Sequence, residues 1–85
     1  MTVERIFNAM VANMVANGYE IFWQNFMMVV TDSGHLKHRA FVRFTKNGNS
    51  VEFSSQDVYS EKEMEEKIAK FYERVEYLKE NGYLS

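Results

Sequence analysis

Two segments of the chain carry apolar residues at the spacing of an amphipathic helix. They cover Val3–Asn17 and Glu61–Asn81, and in both the apolar residues recur every three or four positions. Each segment follows a hydroxyl residue suited to an N-cap and runs into a glycine that can end a helix in the left-handed conformation. The N-caps are Thr2 and Ser60, and the glycines are Gly18 and Gly82. The pattern predicts a helix at each end.

The segment between the helices is divided by two turn sequences. Asn47-Gly48 is typical of a two-residue hairpin turn, and Asp32-Ser33-Gly34 suits a three-residue loop. Strands joined by such short loops must run antiparallel. The predicted fold class is α+β: a single two-layer domain over residues 1–85, in the order α-β-β-β-α, with a three-stranded antiparallel meander and two terminal helices.

The first strand lies within Tyr19–Val30 and is apolar on both faces. Counting back from the turns places Trp23 opposite Arg43 and Phe22 opposite Phe44. The face expected to form the core beneath the helices contains Phe22, Phe26, Met28, Val30, Leu36, Ala40, Val42, Phe44, Val51 and Phe53. The second face contains Ile21, Trp23, Met27, Val29, Lys37, Arg39, Phe41, Arg43 and Glu52. A bulge at Gln24-Asn25, or a slip of one residue, would change this assignment for the first strand.

The second face combines aromatic residues with Met and Arg, which are enriched at the centres of protein interfaces. Its predicted partner-binding residues are Trp23, Met27, Lys37, Arg39, Phe41 and Arg43. Three arrangements would cover this face. A partner protein docks on it, one of the two helices packs across it, or a second copy of the chain closes it with two-fold symmetry.

Charge gives a further alternative. The chain has a net charge of −2, which argues against broad nucleic-acid binding. Residues 31–56 are nevertheless basic, with four Lys and Arg against two acids. Aromatic residues interleaved with bases hold single-stranded nucleic acids, so a nucleic-acid-binding module on the same strands is a second hypothesis. A structural homodimer without another ligand is a third.

Candidate catalytic and metal-binding residues are absent from the sequence pattern. There is no nucleophile elbow, phosphate-binding glycine loop or HExxH helix. His35 and His38 are three positions apart, so a strand would point them to opposite faces. We therefore expect no enzyme activity, no catalytic residues, no cofactor and no metal.

Cysteine usage and hydropathy indicate a cellular compartment. The chain contains no cysteine, so its stability depends on no disulfide bond. No window approaches the roughly 20 apolar residues of a membrane span, and the start MTVERIF is not typical of a signal peptide. We expect a soluble, cytoplasmic protein.

The order α-β-β-β-α resembles the double-stranded-RNA-binding domain, and GHLKHRAFVRF (34–44) is similar to that family's second strand. The family binds phosphates through a Lys-rich start of its last helix. Here that start reads SEKEMEEK (60–67), which is acidic. Because duplex RNA is held largely through phosphate contacts, the resemblance implies the topology and not RNA binding.

The chain also resembles the small acidic inhibitors made by phages and mobile elements, including anti-CRISPR proteins. The resemblance covers its size, its lack of cysteine, its compact layout and its lack of catalytic motifs. It implies a protein-binding inhibitor that occludes a host nucleoprotein machine. The leading prediction is therefore a non-enzymatic protein-binding module whose partner is a protein of a nucleoprotein effector.

Overall fold

A computed structural model describes residues 2–84 of the chain; Met1 and Ser85, at the ends of the predicted domain, lie outside the described residues. The structure is a single α+β domain, as predicted. Its elements are α1 (Val3–Ala16), β1 (Glu20–Val30), β2 (Leu36–Lys46), β3 (Asn49–Ser54) and α2 (Glu61–Glu80). The strands form an antiparallel sheet in the order β1-β2-β3, with β2 at the centre.

The predicted helix boundaries are confirmed by their capping hydrogen bonds. The Thr2 hydroxyl accepts from the backbone N–H of Arg5 at 3.1 Å, and the Ser60 hydroxyl accepts from that of Glu63 at 3.1 Å. These bonds satisfy backbone donors that have no partner within the helix. Gly18 has a φ of +93°, the left-handed conformation that ends α1.

Both helices pack on the same face of the sheet. Their buried residues share one core with the alternate residues of β2 and β3 that point toward them: Ala40, Val42, Phe44, Val51 and Phe53. Phe7 of α1 lies 6.0 Å from Phe53, and Phe71 of α2 lies 5.4 Å from the same ring, measured between centroids. The arrangement in which one helix covers the second face is therefore wrong.

The register of β1 differs from the prediction at one residue. Trp23 lies opposite Arg43 as expected, but Ile21 rather than Phe22 lies opposite Phe44, with a register shift between Ile21 and Trp23. Phe22 is thus the extra residue of a β-bulge, where two residues of one strand oppose one of its neighbour. The predictions that Phe22 faces the core and Ile21 the second face are wrong, and the bulge does not lie at Gln24-Asn25.

The far end of the β1–β2 hairpin extends beyond the helices. Met28, Val30 and Leu36 were expected in the core, yet they are 59%, 67% and 45% exposed. Element length explains the difference: a helix of 14 residues is roughly 21 Å long, whereas a strand of 11 residues is roughly 36 Å long. The molecule is accordingly elongated, at 45 × 21 × 20 Å.

Candidate protein-binding surface

The side of the sheet that faces away from the helices carries all six predicted partner-binding residues. We call this side the open sheet face and define it by ten residues: Phe22, Trp23, Met27, Val29, Lys37, Arg39, Phe41, Arg43, Glu52 and Asp57. Within residues 2–84 no element of the chain lies across it.

An aromatic cluster occupies the centre of the open sheet face. The Trp23 and Phe41 rings are 5.1 Å apart between centroids, a distance typical of a favourable aromatic pair. The bulge adds Phe22 beside them, because the Phe22 ring lies under the Arg43 side chain, which Trp23 also opposes. Trp23 is 54% and Phe22 68% exposed. The cluster therefore offers two large apolar side chains to an incoming surface.

The Arg43 side chain is fixed above this cluster. Its guanidinium carbon lies 5.8 Å from the centroid of the Phe22 ring, within cation–π range. Its Nε donates to Oε1 of Glu52 at 2.8 Å, and a terminal nitrogen donates to the same oxygen. Glu52 lies directly opposite Arg43 on β3, as the turn at Asn47-Gly48 predicts. The guanidinium is thus held in place by contacts within the protein.

A second cluster of charges lies nearer the hairpin end. Arg39 donates from Nε and a terminal nitrogen to Oδ1 of Asp57 at 3.0 and 2.8 Å. The Lys37 ammonium lies 3.8 Å from Oδ2 of the same carboxylate. With Met27 and Val29 these residues line a small cleft of about 130 Å³. The cleft has apolar walls on the β1 side and a charged floor on the β2 side.

Asp57 reaches this cleft because the chain after β3 continues along β2 with a shift in register. The Ser55 N–H donates to the Ala40 carbonyl at 2.9 Å, whereas Val58 exchanges two backbone hydrogen bonds with His38. Gln56, between them, has a φ of +55° and absorbs the additional residue. The shift places Asp57 beside the outward-facing side chains of β2.

The fourth base of the basic segment, Lys46, is engaged elsewhere. Its ammonium donates to the Asn17 carbonyl at 3.0 Å and lies 4.9 Å from the centroid of the Tyr19 ring. This contact joins the end of β2 to the C-terminus of α1. Together with the pairs at Glu52 and Asp57, it means that each of the four predicted bases has an acceptor within the protein.

The open sheet face contains functional candidates that sequence reasoning missed. The hydrophobic pattern places Phe22 in the core, and no sequence pattern assigns Asp57 to this face. In a strand whose residues are apolar on both faces, the sequence pattern does not show where a bulge lies. Asp57 follows the register shift at Gln56, beyond the end of β3. The β2–β3 register counted from the Asn47-Gly48 turn therefore does not predict that Asp57 lies beside Lys37 and Arg39.

The described part of the chain holds no group of three or more His, Cys, Asp or Glu residues placed to bind a metal ion. Neither described helix combines the length and the apolar character needed to cross a membrane. What the open sheet face offers chemically is therefore apolar area and paired charges.

The chain was compared with known proteins in three ways. A scan against protein-family models gave no match, and searches of the curated proteins and of the solved structures returned none either.

Proposed function

We propose that the chain is a non-enzymatic protein-binding module that docks through the open sheet face. The observation that carries the proposal is the uncovered pair of Trp23 and Phe41, next to the exposed Phe22 and the fixed Arg43. Large aromatic side chains beside Arg are the residues that contribute most energy at protein interfaces. A cluster of this kind left in water favours a docking role over a purely structural one.

The charges of this face favour a protein over a nucleic acid as the partner. Three bases (Lys37, Arg39 and Arg43) are offset by Glu52 and Asp57, which leaves a small positive excess. Nucleic-acid binding draws its affinity from several phosphate contacts made by cations. A protein surface with an apolar centre and a few acidic residues at its rim complements this face better.

The proposed mechanism is occlusion. A small domain that places an aromatic cluster on a functional surface of another protein blocks that surface without any chemistry of its own. In agreement with the resemblance to small phage and mobile-element inhibitors, the proposed target is a host nucleoprotein machine. The lack of cysteine suits a cytoplasmic setting, where thiols stay reduced.

The test is differential capture from a nuclease-treated cell lysate. Wild-type protein, the variant Trp23→Ala and the control Tyr77→Ala are immobilised, and the retained proteins are quantified by mass spectrometry. Tyr77 lies on α2 and is 59% exposed, so its variant removes a similar exposed aromatic side chain away from the sheet. A true partner is retained by wild type and by Tyr77→Ala and is depleted by Trp23→Ala.

The dissociation constant of the complex then quantifies the contribution of Trp23. For the purified partner, loss of an anchoring Trp23 costs about 2 kcal/mol, or roughly a 30-fold higher Kd. Equal retention of every protein by Trp23→Ala and wild type would exclude the open sheet face as the docking site. Proteins captured from an untreated lysate but not from the nuclease-treated one would favour the nucleic-acid hypothesis instead. An affinity that falls steeply as the salt concentration rises would also favour it.

A further inference from the structure

The outer edge of β1 is a second unpaired surface, distinct from the open sheet face. No strand of residues 2–84 pairs with it. Natural edge strands are usually short or carry charges or Pro that prevent pairing with another chain. β1 is 11 residues long, and the stretch Ile21–Val30 contains neither a charged residue nor Pro. Apart from the bulge at Phe22, this edge therefore lacks the usual protection.

The opposite edge of the sheet shows the contrast. β3 has only six residues, and Arg74 of α2 donates to the backbone carbonyl of Glu52 at 2.5 Å. A cationic side chain thus occupies an acceptor that a further strand would need. Only the β1 edge is long, apolar and without such a contact among the hydrogen bonds described here.

The hydrogen-bond pattern identifies the backbone groups that point outward. The Thr31 N–H donates to the His35 carbonyl at 2.8 Å and closes the loop with a bonded pair. Because bonded and non-bonded pairs alternate along an antiparallel ladder, the odd-numbered residues of Trp23–Val29 bond to β2. His38 agrees with this alternation, because its N–H and C=O bond to Val58, on the side of β2 that faces away from β1. The residues whose N–H and C=O point outward are Gln24, Phe26 and Met28.

We propose that two copies of the chain pair β1 with β1 in antiparallel orientation about a two-fold axis, forming a continuous six-stranded sheet. The regular part of β1, between the bulge at Phe22 and the loop at Thr31, is centred near Phe26. Pairing about Phe26 places Gln24 opposite Met28 of the second copy and Trp23 opposite Val29 of the second copy. Every outward N–H and C=O of this stretch then meets a complementary group.

Self-complementarity favours a second copy over a foreign strand. Around Phe26 no charged side chain meets a like charge, because β1 carries none after Glu20. In a two-fold antiparallel pair, odd residues of both copies also share one face. Trp23 then meets Val29 and Phe26 meets Phe26 of the second copy, whereas the uncharged Gln24 and Asn25 lie opposite Met28 and Met27. Five of the seven residues of Trp23–Val29 are apolar, and four of them (Trp23, Met27, Met28 and Val29) are 43–59% exposed beside the paired edge.

Helix α1 leaves room for this partner. Met10 and Ile6 line the groove against α2, and Asn13 donates to the Tyr72 hydroxyl at 3.1 Å, so these positions face α2. The side of α1 turned away from α2, toward the β1 edge, carries Glu4, Asn8 and Val15, of which Val15 is 46% exposed. Asn8 and Val15 introduce no charge that the second copy would have to desolvate, and Glu4 is the single charged residue on this side of the helix.

The consequence for the molecule is a doubled binding surface. The open sheet faces of the two copies would lie on the same side of the six-stranded sheet, with Trp23 at two symmetric positions. The pairing itself rests on the β1 edge and holds whether or not the open sheet face binds a protein.

Solution mass provides the first test. Sedimentation of the full chain over a range of micromolar concentrations is expected to show a species of twice the 10.1 kDa chain mass. A monomer at every concentration would overturn the proposal.

Two variants at Met28 test the edge. Met28→Lys places a charge at an outward position and is expected to raise the dimer dissociation constant at least tenfold. Met28→Ala keeps the backbone and an uncharged side chain, so it should remain dimeric. Circular dichroism confirms that both are folded. A dimer that survives Met28→Lys but dissociates in Phe41→Ala would indicate face-to-face packing and overturn the edge pairing.

Cross-linking tests the register. The chain has no cysteine, so introduced thiols react only with each other. Asn25 and Met27 of opposite copies form a non-bonded pair in the proposed register, with Cα atoms about 4.5 Å apart. A mixture of Asn25→Cys and Met27→Cys chains should therefore form a disulfide-linked heterodimer, and each variant alone should not. Cross-linking of either variant alone would contradict pairing about Phe26.

Discussion

The two sides of β2 show how differently one sheet can be used. Toward β3, Val42, Phe44 and Val51 are almost completely buried under both helices. Toward β1, Phe22, Trp23 and Met28 are as apolar but more than half exposed. Composition alone does not distinguish the two regions. The difference teaches that helix placement, rather than hydrophobicity, decides which apolar residues stabilise the monomer and which remain available for association.

Two phenylalanines give the largest contrast between these regions. Phe44→Ala removes a fully buried ring from the core and should lower the free energy of unfolding by about 3–5 kcal/mol. Phe22→Ala removes a ring that is 68% exposed and should change it by less than about 0.5 kcal/mol. Urea denaturation of both variants measures the two values. Similar losses would show that β1 is covered in the monomer and would break the comparison.

Two serines repeat the contrast for polar groups. The buried Ser55 hydroxyl accepts from the Ala40 N–H at 2.9 Å and donates to the Gln56 carbonyl at 2.8 Å. Ser55→Ala leaves the buried Ala40 N–H without this acceptor and should therefore lower the free energy of unfolding by about 1–3 kcal/mol. Ser33 lies in the exposed hairpin loop, so Ser33→Ala should lower the free energy of unfolding by less than about 0.5 kcal/mol. Thermal unfolding compares them, and equal costs would contradict the assignment of Ser55 to the core.

The ion pair on the open sheet face should have the smallest effect. Arg43 and Glu52 have side chains that are 42% and 43% exposed, and exposed pairs contribute about 0.2–1 kcal/mol. A double-mutant cycle with Arg43→Gln and Glu52→Gln measures this coupling in the monomer. A coupling well above that range would mean that the face is shielded from water. The expected weak coupling would show that the open sheet face is in contact with water in the monomer.

The helices and the turns could be predicted from the sequence because their signals are local. Ser60 marks the start of α2 by its side-chain hydroxyl, and Gly18 marks the end of α1 by its positive φ. Asn47-Gly48 fixes its turn through positive φ at both residues, +51° and +79°. From that turn the pairing of Arg43 with Glu52 follows by counting. These predictions need no knowledge of distant packing.

The errors arose where the pattern carries no information. β1 is apolar at both alternations, so a bulge leaves no mark in the sequence, and Phe22 was placed on the wrong face. The exposure of Val30 and Leu36 was, in contrast, accessible in principle. Comparing the length of α1 with that of β1 shows that the strand is longer than the helix that covers it, so the residues at its far end lie beyond the helix.

The bulge at Phe22 also predicts where β1 tolerates a change in chain length. Deleting Phe22 would restore regular alternation, because Ile21 could stay opposite Phe44 and Trp23 opposite Arg43. Deleting Gln24 instead would bring Trp23 opposite Val42 and turn it toward the helices, even with the bulge taken up. A lineage of such proteins could therefore gain or lose an aromatic contact by a single-codon insertion or deletion at this position, without rebuilding the sheet.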